Sequence, residues 1–163
     1  MAENTNITNK EIIQISTGMK TFTLVGDDGN KVDIKMNPTD VNFAARLFDC
    51  FENLQTKAEA YKAQIESGEL TDRETVELTT KVDMEMRDAL EVIFRKDVVT
   101  PLIGDTNIYA ASDGFPIWAN IIISVRDRMD VELDEQMKKQ SERIDYYTKK
   151  YKMPQDFKRK GRK

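Results

Sequence analysis

PIWANIIISVRDRMDVELDEQMKKQSERIDYYTKKY, Pro116 to Tyr151, is the stretch that decides the fold. Pro116 suits the first turn of a helix. The early face is strongly apolar, through Ile117, Trp118, Ile121, Ile122, Val125 and Met129. Beyond Met129 the stripe narrows to Leu133, Met137, Gln140, Ile144, Tyr147 and Tyr151, with charges between. Those positions step by 4, 3, 4, 3 and 4, the spacing of a helix that meets one other helix along a seam. An unbroken helix from Pro116 to Lys152 would span about 55 Å at 1.5 Å per residue. A compact chain of this length has a diameter of roughly 40 Å. The helix therefore either breaks near Asp130 or projects and binds something.

The segments before it supply the partners of its apolar half. Thr71 and Glu74 have capping-box spacing, and Leu78, Val82, Met86, Leu90 and Ile93 follow as a helical stripe toward Lys96. Upstream, Asn37-Pro38-Thr39-Asp40 reads as a helix start, with Asn37 as the N-cap and Asp40 near the positive end. Its stripe is Val41, Ala44, Phe48, Phe51, Leu54, Ala58, Tyr61 and Ile65, widened by Leu47 and Cys50, and Gly68 ends it. The short link between these helices predicts an antiparallel helical hairpin. Pro101 and Gly104 mark a break, and residues 103–114 read as a loop crossing to the third helix.

Residues 21–25 and 31–36 alternate apolar and polar, the period of half-buried strands. Gly26-Asp27-Asp28-Gly29-Asn30 between them is turn chemistry, so the unit predicts a β-hairpin. The expected fold is mainly α with a small N-terminal β-hairpin: an α+β chain with a helical hairpin and a long third helix. Residues 1–18 are expected to be a flexible segment, 19–152 one helical domain, and 153–163 a basic disordered tail.

Composition narrows the chemistry. Among 163 residues there is no histidine, the commonest general base near neutral pH and the commonest metal ligand. The single cysteine, Cys50, sits in an apolar run and fits a small core residue in a reducing compartment. No signal-peptide stretch and no run of ~18 apolar residues is present, so a cytoplasmic protein without a membrane span is expected. No cofactor or metal is expected. Asp27, Asp28, Asn30 and Asp33 lack calcium-loop spacing, and residues 26–31 lack the Gly-Lys-Ser/Thr ending of a phosphate loop. Asp83, Glu85, Asp88 and Glu91 read as a solvated helix face.

The net charge of −4 hides an asymmetry. From Lys149 to Lys163 eight basic residues face one acid, leaving 17 basic and 28 acidic residues in the rest. The tail residues Lys158, Arg159, Lys160, Arg162 and Lys163 offer a phosphate-binding end, and Phe157 is the only stacking residue in 153–163. Partner binding or self-association is assigned to Leu133, Met137, Gln140, Ile144, Tyr147 and Tyr151. Met19, Met36, Met84, Met86, Met129 and Met137 would add adaptable surface where exposed.

Three stretches resemble the tail assembly chaperones of long-tailed, siphophage-type bacteriophages and of prophages in Gram-positive bacteria. They are the hairpin running into Asn37-Pro38-Thr39-Asp40 and the aromatic helix Phe43 to Phe51; Asp88-Ala89-Leu90-Glu91-Val92-Ile93-Phe94 before Gly104-Asp105; and Phe115 to Ile123 opening a helix with a charged end. A Gly-rich turn is expected after Ile93-Phe94, where this chain has Arg95-Lys96-Asp97. The resemblance implies a non-enzymatic role: self-associating, coating the helical tape measure protein, and keeping it soluble until the tail tube polymerises. It also implies, as in many such phages, a frameshifted longer form that recruits the tail tube protein. The reading from a different class is a small nucleic-acid-binding regulator using the basic tail; a carboxylate-based metal hydrolase is a third.

Overall fold

The computed structural model describes residues 10–151, apart from the side chains of Tyr147, Lys150 and Tyr151. Two antiparallel strands, β1 (Lys20–Val25) and β2 (Lys31–Met36), open the fold in the register Lys20↔Met36 to Val25↔Lys31. Gly29 ends the turn at φ +78°, donating its N–H to the Gly26 carbonyl at 2.9 Å. A residue in the left-handed region at that point is what a three-residue hairpin loop requires, and glycine adopts it without a Cβ clash. Gly26 is small for another reason: a Cβ there would lie 2.7 Å from the Leu102 carbonyl oxygen.

α1 (Val41–Glu66) and α2 (Asp72–Phe94) form the antiparallel pair. Two expectations for α1 need correction. Its N-cap is Asp40, whose side chain accepts the Asn42 N–H, whereas Asn37 makes its own turn by accepting from the Thr39 N–H at 2.9 Å. Pro38 consequently lies before the helix. The buried stripe is also rotated: Phe43, Leu47, Cys50 and Leu54 face the core, while Val41 and Phe48 remain exposed. The apolar arc of this helix is wider than the single face its neighbours cover.

Thr71 and Glu74 form the capping box that starts α2. Its buried residues Val82, Met86, Leu90 and Phe94 repeat every four positions. Arg95 ends the helix in the left-handed conformation, φ 57° and ψ 28°, so an arginine performs the turn expected of glycine.

The crossing segment is more ordered than a loop. α3 (Val99–Ile103) is a short helix whose first N–H groups, on Val99 and Thr100, donate to the Asp97 carboxylate at 3.0 Å each. Pro101 therefore sits inside a helix, near its start, where its missing N–H costs little. β3 (Ala111–Ser112) and β4 (Phe115–Pro116) then pair around Asp113 and Gly114. Both of those residues have positive φ, 54° and 83°, the geometry of a two-residue hairpin turn.

The acidic face of α2 is also corrected in part. Asp83 is not solvated: one carboxylate oxygen accepts the Ile108 N–H at 2.7 Å and the other pairs with Arg87 at 2.9 Å. Arg87 donates onward to the Thr106 carbonyl at 2.6 Å. These two side chains clasp the crossing segment and satisfy the backbone around the fully buried Ile108.

α4 (Ile117–Tyr151) runs unbroken for 35 residues, about 52 Å. No break occurs near Asp130. Trp118, Ala119, Ile121, Ile122, Val125 and Met129 complete one core with β2, α1, α2 and α3. From Leu133 to Tyr146 no residue is buried, and only Gln136 is half-buried. The fold is thus mainly α with a small hairpin, a helical pair and a long final helix, to which α3 and the β3–β4 turn are added.

Candidate functional site

Leu133, Met137, Gln140 and Ile144 share one face of α4 through steps of 4, 3 and 4. Leu133 is 40% exposed, Met137 58% and Ile144 55%, large values for apolar side chains aligned on one helix face. Tyr147 and Tyr151 continue the spacing within α4, but their side chains lie outside the described set.

This stripe does not stand alone. Where α4 leaves the core it flanks the start of α1, and a trough between them is lined by Pro38, Val41, Ala44, Phe48, Met129 and Leu133 together with Thr39, Asp40, Arg126 and Asp130. Toward the core the trough passes Phe51, Ile122 and Ile123. Away from it the trough passes Thr39, Met137, Gln140 and Arg143. Leu133 belongs to both neighbouring depressions, so helix seam and body groove form one surface. Val41 and Phe48, read from sequence as core, belong to this surface. The signal was present: Val41 to Phe51 holds more apolar residues than one helix face can bury.

Glu132 fixes the point where α4 departs. Its side chain is almost wholly buried and pairs with Lys20 of β1 and with Arg128 one turn back. Arg128 also lies over the Phe22 ring, 5.8 Å from its centre. The hydrogen bond from Lys20, helped by Arg128, outweighs burial and holds the Glu132 carboxyl below its usual value near 4.5. The pair anchors the hairpin to α4 and sets the direction of the exposed half.

The remaining candidates resolve into structure. Asp33 accepts a hydrogen bond from Thr23 Oγ1 across the hairpin at 2.7 Å. Cys50 is buried, and burial pushes its thiol pKa up. Among the described residues no group of three or more His, Cys, Asp or Glu side chains is placed to hold a metal ion. Among them also, no helix is long and apolar enough to cross a membrane. The basic residues Lys158, Arg159, Lys160, Arg162 and Lys163 lie outside the described residues.

No protein-family model, curated protein or solved structure matches this chain.

Proposed function

We propose that this protein is a non-enzymatic tail assembly chaperone that self-associates and holds the tape measure protein soluble until the tail tube polymerises. The observation that carries this reading is the run of apolar side chains from Phe51 and Phe48 across Leu133 and Met137 toward Ile144, interspersed with Asp40, Arg126 and Asp130. A trough bounded by two helices, extended by a projecting stripe, suits an amphipathic client helix laid lengthwise. Contacts of modest strength repeated by many copies along a long client would give avidity while each remains releasable. That release is what polymerising tube subunits require. Gln140 within the stripe weakens purely apolar packing and favours one register.

Coexpression tests the proposal. A tape measure protein should move from the insoluble to the soluble fraction when it is produced together with this chain. Unchanged insolubility would count against the reading. Salt-sensitive binding of nucleic acid, abolished by replacing Lys158, Arg159, Lys160, Arg162 and Lys163 with glutamine, would favour the regulator reading instead.

A further inference from the structure

The hairpin is half-finished on one side. β2 buries Val32, Ile34 and Met36 to 6% exposure or less, whereas Phe22 and Leu24 of β1, on the same face, are only half-buried. Its outer backbone edge is also open. Gly26 donates its N–H to Asn30, so the alternation of an antiparallel pair turns the backbone groups of Leu24, Phe22 and Lys20 toward β2. The N–H and C=O groups of Thr21, Thr23 and Val25 therefore face away from it. The opposite edge obeys the same parity, and there the outward carbonyl of Asp33 accepts from Lys96 Nζ at 2.9 Å. No such bond reaches the outward groups of β1 among the described residues.

Immediately before β1 lies a segment with the opposite need. Ile12, Ile13 and Ile15 are 87%, 85% and 79% exposed, the highest values of any large apolar side chain among the described residues. Lys10-Glu11-Ile12-Ile13-Gln14-Ile15-Ser16-Thr17 is rich in β-branched residues, forms no helix or strand, and contains no proline. It does not fold back onto its own β1. Asn37 Nδ2 donates to the Thr17 carbonyl at 2.9 Å, holding the chain beyond the far end of β2. Gly18 makes this possible at φ +71°, where a Cβ would lie 2.8 Å from Asn37 Nδ2.

We infer that residues 11–16 of one copy add as a third strand to the outer edge of β1 in a second copy. The added strand would pair with the outward groups of Thr21, Thr23 and Val25. Ile13 and Ile15, two residues apart, would extend the sheet face carrying Phe22 and Leu24. The donor segment and the acceptor edge are different surfaces, so the contact is heterologous and propagates into rings or chains. This deepens the chaperone reading, on which it rests for its purpose: copies linked through the hairpin leave the α4 surface free for a client.

The test is complementation between two full-length variants, read by light scattering. Ile13→Pro/Ile15→Pro spoils the donor segment and keeps the edge. Thr23→Pro removes an outward N–H from the edge and keeps the segment; Thr21→Pro serves as a second edge variant should Thr23→Pro unfold, as judged by circular dichroism. Wild type should form concentration-dependent multimers, each variant alone should be a monomer, and an equimolar mixture of donor and edge variants should give a one-to-one dimer. Multimers persisting in both variants, a mixture that stays monomeric, or a wild type that is monomeric at every concentration would each overturn the inference. A monomeric wild type would also remove self-association from the proposed function, whereas client holding is read separately by the coexpression experiment; the other two results overturn the strand-addition inference alone.

Discussion

Arg95 adopts a backbone conformation that costs a side-chain-bearing residue roughly 1–2 kcal/mol. Arg95→Gly should therefore leave the protein equally stable or raise its stability by up to about 1 kcal/mol in urea unfolding, offset partly by the looser unfolded chain. A loss of stability would show that the arginine side chain has a role of its own. Leu90 is the contrasting case, a fully buried residue of α2 in the common core. Leu90→Ala should cost about 2–5 kcal/mol in the same measurement, because the surrounding helices cannot close the cavity. Glu132 carries a pH dependence whose sign is fixed. Its carboxyl titrates lower in the folded chain than in the unfolded one, so its contribution is complete above the usual value near 4.5 and fades as pH falls through the depressed one. The difference in melting temperature between wild type and Glu132→Gln should accordingly shrink on acidification through that range. Cys50 should react with a thiol reagent only as the chain unfolds, since burial both hides the sulfur and disfavours the thiolate.

Elements whose start or period is written locally were legible in the sequence. The hairpin follows from strict alternation around Gly26 to Asn30, and α2 follows from the Thr71–Glu74 box. Thr71→Ala should cost about 1 kcal/mol, measured by thermal unfolding, because it leaves a helix-end N–H without its partner. The start of α4 after Pro116 was equally clear. What failed depended on tertiary context. Asn37 and Asp40 are both good caps, and only the path from β2 into α1 decides that Asp40 takes the role. The rotation of α1 was hidden because its apolar arc exceeds one face, so periodicity alone could not rank Phe43 above Phe48. α3 and the β3–β4 turn were hidden because they are too short to show a period. Asp83 looked like one of four surface carboxylates until the crossing segment returned to place Ile108 N–H against it. Of the candidate surface, the α4 stripe was visible as heptad spacing, whereas the contribution of Val41 and Phe48 required the packed helices.

At the scale of the molecule, α4 joins two environments on one rigid element. Its first half completes the core, and its second half carries an apolar stripe into solvent from the point fixed by Lys20, Glu132 and Arg128. Few large apolar residues are left exposed on a projecting helix unless something covers them. On the proposed function, that cover would be an amphipathic helix of the client, seated in the trough beside α1 and along the stripe. The most direct measurement is co-purification of the tape measure protein with tagged wild type and with Leu133→Asp/Ile144→Asp, both replacements lying outside the core. The account predicts that wild type retains the client and that the double variant, with an unchanged circular dichroism melt, loses it. Equal retention by the two proteins would contradict the assignment of this surface to the client.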